Sequence, residues 1–284
     1  MTLEEAVYIP RGDILQPTEL ARGPWDANAQ HGGASAALIG WALERAIDDP
    51  EQQVTRVNLD LLRPVSLRPL TVTVHRTGGR SVGRWEVSLE ADGQRLMHGL
   101  ALSCPTRPLH AVGASFQDRL AFPDSDDRLR IPGMLDHRSF HYTAMSTRLA
   151  EGSVAAPGPA SVWFRLSCPL VAGESVTPLS RALAAADFGS GISWELPFER
   201  YAYVNADLSV HLHRLPRGEW IGVAARMTVE PHGVGLAESA LYDSEGRIGT
   251  ALQTLVVREE TQRSADQPVA EREAEGRQRV GQES

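Results

Sequence analysis

Between residues 33 and 47 the chain shows no polar face until Glu44 and Arg45. A helix that is apolar nearly all round must be surrounded, because one buried stripe would leave the rest in water. Flanking runs alternate apolar and polar residues with period two, at 54–62, 70–76, 85–91 and 96–103. That period predicts antiparallel strands, with Asp92-Gly93 as a hairpin turn.

The same order returns later in the chain. Runs at 140–149 and 161–167 predict a hairpin around a Gly/Ala/Pro loop at 152–160. A helix is predicted from Pro178, with Thr177 as N-cap and proline at the favoured first position. Strands are predicted at 198–213, 219–229, 234–243 and 248–258.

Short phrases repeat with the elements. Asn58-Leu59-Asp60-Leu61 with Arg63-Pro64 returns as Asn205-Ala206-Asp207-Leu208 with Arg214 and Pro216, and Asp92-Gly93 returns as Glu245-Gly246. The offsets agree, at 205 − 58 = 147 and 246 − 93 = 153. Two copies of one unit imply a fused pseudo-dimer whose site can survive on one side and decay on the other. One buried helix wrapped by a long antiparallel sheet is the hotdog arrangement, so the expected fold is α+β, a double hotdog. The expected division is 1–104 for the first unit, 105–136 for a Pro/Asp/Arg-rich linker and 137–258 for the second. The Glu/Arg/Gln/Ser-rich tail, 259–284, is expected to be disordered.

Composition removes several alternatives. At 284 residues and 42% hydrophobic the chain can bury a substantial core, and its net charge of −8 argues against a general nucleic-acid binder. All 28 basic residues are arginine. The two cysteines, Cys104 and Cys168, suggest neither a disulfide framework nor a metal knuckle. The first residues lack an apolar signal core, and the helix from Gly32 is too short to span a bilayer. A soluble, cytoplasmic protein is expected, with no membrane partner, and pairing into a homo-oligomer is expected.

Asp187 is the first candidate for chemistry. It falls at the edge of the apolar stripe of the second helix, which Gly189 and Gly191 end. A partly buried carboxylate at the unfavourable end of a helix dipole is a candidate general base; a solvent-facing turn residue is the plain alternative. At the equivalent place the first copy offers only Gly40 and Trp41, so the acid is one-sided. Asn205 shares strand parity with Tyr201, Tyr203 and Asp207, opposite Val204, Leu208 and Val210. Gln253 shares a face with Ala251, Leu255 and Val257. An amide on an apolar face costs about 1–3 kcal/mol unless it finds a partner, which a neighbouring backbone group can also supply.

The ordered set of phrases resembles the acyl-CoA thioesterase II family of double-hotdog enzymes. Gly32-Gly33 with its Ala/Leu helix, Leu62-Arg63-Pro64 and Arg80-Ser81 match the first half. Asn205 through Ser209, His213-Arg214, Glu219-Trp220 and Gly249 through Gln253 match the second. The resemblance implies hydrolysis of acyl-CoA, in fatty acid metabolism, with no cofactor, metal or covalent intermediate. It also implies that Asp187 and Gln253 fall on two of three water-positioning sites. The third, usually Thr or Ser, falls on Asn205. Substrate-binding is assigned to His31, Gly32 and Gly33, and backbone N–H groups near Gly32 and Gly33, or their second-half counterparts, would stabilise an oxyanion.

Three rival patterns remain. Asp26-x-Asn28-x-x-His31 is similar to the catalytic segment of hotdog enoyl-CoA hydratases, although Ala29 and Gln30 depart from that motif. His31-Gly32-Gly33 also suggests a lipase-type oxyanion strand, but no Gly-x-Ser-x-Gly elbow accompanies it. His211-x-His213 could offer two metal ligands; without a third, two partly exposed histidines are the expected reading. A non-enzymatic acyl-binding protein is the remaining class.

Overall fold

The computed structural model describes residues 5–108, 118–124, 129–134 and 137–259. The expected tail beyond residue 259 and much of the expected linker lie outside them. The chain opens with a small hairpin, β1 (Tyr8–Arg11) and β2 (Ile14–Pro17). Helix α1 (Gly32–Ile47) follows, then β3 (Gln52–Leu61), β4 (Thr71–Gly78), β5 (Gly83–Ala91) and β6 (Gln94–Pro105). The second copy supplies β7 (Met145–Gly152), β8 (Ala160–Leu166), α2 (Pro178–Ala186) and the short α3 (Gly189–Ile192). It continues with β9 (Tyr201–Asn205), β10 (Asp207–Leu212), β11 (Ile221–Val229), β12 (Val234–Asp243) and β13 (Gly246–Glu259). No described helix is long and apolar enough to cross a membrane.

All main strands join one antiparallel sheet in the order β4-β5-β6-β3-β10-β13-β12-β11-β8-β7, with β9 also on β13. The two copies meet where β3 pairs with β10, and there Asp60 lies opposite Asp207. These two aspartates hold the same place in the two repeats, so the pseudo-twofold passes between them. The repeated phrase thus marks the seam that makes one continuous sheet.

Both helices lie on the inner face. Ala34 through Ile39 are almost completely buried in α1, and Ala182 through Ala186 in α2. The two run antiparallel and very close. Ser180 Oγ donates to the Ala37 carbonyl at 3.0 Å, and a Cβ on Gly40 would stand 3.2 Å from the Ser180 backbone. Thr177 caps α2 by accepting the Ser180 N–H, with Pro178 in the first turn, as the sequence predicts.

Four boundaries differ from expectation. Polar Arg11-Gly12-Asp13 hides the β1–β2 hairpin, too short for a periodicity argument. Residues 140–144 are a π-helical turn rather than strand, because Ser139 accepts the Tyr142 N–H and buries Phe140. The run 198–213 breaks into β9 and β10. Asn205 pairs with Leu255 and Ser209 with Leu252, so four steps on one strand face three on the other. This one-residue bulge reverses side-chain parity: Val204 is 45% exposed while Leu208 and Val210 are buried. Asn205 therefore shares the inner face with Leu208, a correction to the expected alternation. Glu259, assigned to the tail, is the last residue of β13.

The hairpin acids are tied to the arginine phrases unequally. Asp243 is buried and bidentate with Arg214, with Arg214 Nη2 2.6 Å from Oδ1. It also accepts the N–H groups of Arg217 at 2.7 Å and Glu245 at 2.9 Å. Burial pushes this carboxyl up, but Arg214 and the two N–H groups outweigh it and hold it below the usual range. Glu245, the counterpart of Asp92 in the repeat, pairs with Arg217 as Asp92 pairs with Arg68, and all four of these side chains are exposed. Arg214→Ala should lose about 3 kcal/mol in a denaturant titration, the low end for a broken buried pair. Arg68→Ala should lose no more than about 1 kcal/mol. A depressed folded pKa contributes stability above the unfolded pKa that disappears as pH falls through the folded value. The gap between Arg214→Ala and the parent should therefore narrow in acid.

Candidate active site

Asp187 is the C-cap of α2 and is 7% exposed. The packing that brings α1 against α2 presses its carboxylate onto the first turn of α1. A Cβ on Gly32 would lie 2.8 Å from both carboxylate oxygens. The group thus ends one helix while facing the N-terminus of another, where the dipole favours an anion. Sequence reasoning supplied only the first of these environments.

Two amides converge on the same oxygen. Asn205 Nδ2 donates to Asp187 Oδ1 at 3.2 Å. Gln253 Nε2 donates to the Asp187 carbonyl at 3.2 Å and lies 3.4 Å from Oδ1. Gln253 is 1% exposed on the apolar face of β13, where its parity with Ala251, Leu255 and Val257 places it. The β9–β10 bulge turns Asn205 to that same face.

Ser190 sets the direction of both amides, and sequence reasoning missed it. Its N–H donates to Gln253 Oε1 at 2.9 Å, and its hydroxyl donates to Asn205 Oδ1 at 3.4 Å. With their oxygens so occupied, both amides present NH₂ to Asp187. Gly189-Ser190-Gly191 signals only a helix end in the sequence. Here Gly189 is also required by space, since its Cβ would stand 2.4 Å from Ser239 Oγ and 3.0 Å from Gln253 Oε1.

The first copy contributes His31, Gly32 and Gly33. Gln30 anchors the approach to α1: Tyr8 donates to its side chain at 2.6 Å, and its amide donates to the Ser66 carbonyl at 2.7 Å. His31 follows as the N-cap, buried, with its ring stacked on Phe188 at 4.5 Å between centroids. Its Nδ1 stands 3.0 Å from Asp187 Oδ2 and 3.0 Å from the Gly33 nitrogen. Gly33 is tight as well: a Cβ there would lie 2.6 Å from the Ala184 carbonyl. The three residues expected to bind substrate therefore border the carboxylate, and His31 touches it.

Other candidates fall elsewhere. Asp26 is exposed and its Oδ1 accepts the Asn28 N–H at 2.8 Å in a local turn. His211 and His213 are exposed, as expected, and no metal-binding cluster occurs among the described residues. The first copy does place an acid at a helix start, which the sequence did not reveal. Glu44 Oε1 accepts the Leu179 N–H at 3.3 Å in the first turn of α2. Burial pushes the Glu44 carboxyl up, opposed by bonds from Thr177 and Leu179. No pair of amides attends it among the described contacts.

Against Phe188, the residue that follows Asp187, lies a cavity of about 20 Å³, lined mainly by apolar side chains such as Ile131, Met134, Phe164 and Ile192, with His141, Tyr142 and Thr147. It holds little more than one water.

Comparisons with known proteins agree with this architecture. Residues 21–104 match the acyl-CoA thioesterase N-terminal domain, and residues 117–257 match the acyl-CoA thioesterase C-terminal domain. No curated protein matches the chain. Among solved structures it is similar to a hot dog fold protein of Alicyclobacillus acidocaldarius, with 14% identity and TM-score 0.66 over 90% of this chain and 97% of that one. It is also similar to a tesB protein of Mycobacterium avium subs paratuberculosis, with 17% identity and TM-score 0.62 over 86% and 92%. An acyl-CoA thioesterase II of Mycobacterium marinum gives 18% identity and TM-score 0.57 over 81% and 91%. These likenesses carry the double-hotdog fold, and the two domain matches carry the family. The chain, a thioester hydrolase with two hotdog copies on one sheet, belongs to the acyl-CoA thioesterase family.

Proposed function

We propose that the protein hydrolyses acyl-CoA by direct attack of a water that Asp187 deprotonates. The observation that carries this reading is the convergence of Asn205, Gln253 and His31 on one buried carboxylate at the start of α1. Such a group is fixed in orientation before substrate arrives, which is what general-base catalysis requires. The two amide contacts, at 3.2 and 3.4 Å, are long, and a water can take a share of either NH₂ group. Long catalytic hydrogen bonds are usual before substrate binds.

The steps follow from the chemistry of a thioester. Asp187 accepts a proton as water oxygen bonds to the carbonyl carbon. Asn205 and Gln253 hold that water, and Gly32, the first residue of α1, offers an N–H with no carbonyl partner within the helix. Collapse of the tetrahedral intermediate breaks the C–S bond and releases CoA thiolate, a good leaving group. Asn205, standing where the family usually has Thr or Ser, offers an NH₂ donor in place of a hydroxyl. The cavity at Phe188 and Met134, about 20 Å³, must open by side-chain movement before it takes an acyl end.

The hydratase reading needs Asp26 beside His31. The Asp26 carboxylate is instead engaged in its exposed turn while His31 faces Asp187.

Free-thiol release across a panel of acyl-CoA chain lengths tests the activity. Asp187→Asn should lower kcat by about 10²–10⁴ with the fold intact, the usual contribution of a general base. Gln253→Ala should also lower kcat, whereas Asn205→Thr should keep activity or raise it. Wild-type turnover by Asp187→Asn would remove the reading, and loss of enoyl-CoA hydration in Asp26→Asn would favour the hydratase. A second test is steric. Gly32→Ala places a methyl 2.8 Å from both Asp187 oxygens, so it should abolish most thiol release. Its far-ultraviolet circular dichroism should stay native, and equal activity in Gly32→Ala would show that Asp187 need not sit on α1.

A further inference from the structure

His31 Nδ1 has two neighbours that make opposite demands. The Gly33 N–H at 3.0 Å requires a lone pair, and Asp187 Oδ2, also at 3.0 Å, requires a proton. One ring nitrogen cannot meet both in the same protonation state. A bare Nδ1 would turn its lone pair toward a buried carboxylate, whereas an Nδ1–H would make a charge-assisted hydrogen bond to it. The surroundings favour the second arrangement. Oδ1 already receives the NH₂ groups of Asn205 and Gln253, which is the environment of an ionised carboxylate, and Oδ2 has only His31 among its described side-chain partners.

We infer that His31 is a positioning residue of the reaction: it carries its proton on Nδ1 and donates it to Asp187 Oδ2. The inference rests on Asp187 being the base and adds what holds it from the side of the first copy. It also gives a physical reason for a histidine at an N-cap, where Ser, Thr, Asp or Asn usually serves. Those shorter side chains satisfy the helix by accepting an N–H. At this position a donor is wanted, aimed away from the helix and across to the other copy. The ring is locked for that purpose, buried and stacked on Phe188 at 4.5 Å and near Phe140 at 5.3 Å. No proton needs to leave His31 during turnover.

Two substitutions separate donation from capping. The amide of asparagine can place an N–H close to where Nδ1 stands, whereas serine caps a helix well but cannot reach Asp187. His31→Ser should therefore lower kcat by about 10–100-fold, the worth of one hydrogen bond to a charged group, with KM within about threefold and the melting temperature unchanged. His31→Asn should recover most of that loss. Equal kcat in His31→Ser and the parent would overturn the inference, since it would leave capping as the whole role.

Nitrogen-15 NMR of the full chain labelled at histidine reads the proton without reference to turnover. The His31 resonance should show a protonated Nδ1 that loses its hydrogen-bonded character in Asp187→Asn. A bare Nδ1 with the proton on Nε2 would overturn the inference even if Asp187→Asn is inactive. A protonated Nδ1 beside a fully active Asp187→Asn would instead show the contact standing while the general-base reading fails.

Discussion

Everything at the site depends on how closely the start of α1 approaches the end of α2. Gly32 and Gly33 leave no side chain between the helices, so the Asp187 carboxylate rests on backbone and the Ala184 carbonyl lies near the Gly33 Cα. Any larger residue at either position must separate the two copies or expel the carboxylate. Neither helix could offer this environment alone. One supplies a fixed acid, the other the N-terminal amides that favour an anion, and fusion of the copies fixes their relation.

The sheet contributes the remaining part through one irregularity. Had 198–213 continued as a regular strand, Asn205 would have faced away from Leu208 and out of the core. The bulge opposite Leu252–Leu255 spends one extra residue to turn Asn205 inward beside Gln253. The join between copies at Asp60 and Asp207 lies just past this bulge. Seam, bulge and the Asn205 amide are thus neighbours along five residues of chain, and an error of register at the seam would displace the amide with it.

The duplication was legible because most of its elements carried their own signal: period-two strands, an all-apolar helix, a Thr-Pro helix start and repeated Asn-x-Asp phrases. Asp187 and Gln253 were legible for a related reason, being polar groups in otherwise apolar patterns. What the sequence concealed depends on pairing between distant segments. The bulge shows only when β9 and β10 are set against β13. Ser190 shows only when the two amides are in place, since its own neighbourhood reads as a helix end. His31 could be seen to line the helix entrance, but its contact with Asp187 crosses 156 residues of sequence.

In the proposed reaction Asp187 takes a proton from water and is not itself the nucleophile. A buried carboxylate bound by three side chains is well placed for the first role and poorly exposed for the second. Isotope transfer in a single turnover separates the two most directly: excess enzyme is mixed with an acyl-CoA in ¹⁸O-enriched water, and product acid and protein are weighed by mass spectrometry. Direct attack by water puts one ¹⁸O atom in the released acid from the first turnover and none in the protein. An unlabelled first-turnover acid, with ¹⁸O found in the peptide that carries Asp187, would contradict it.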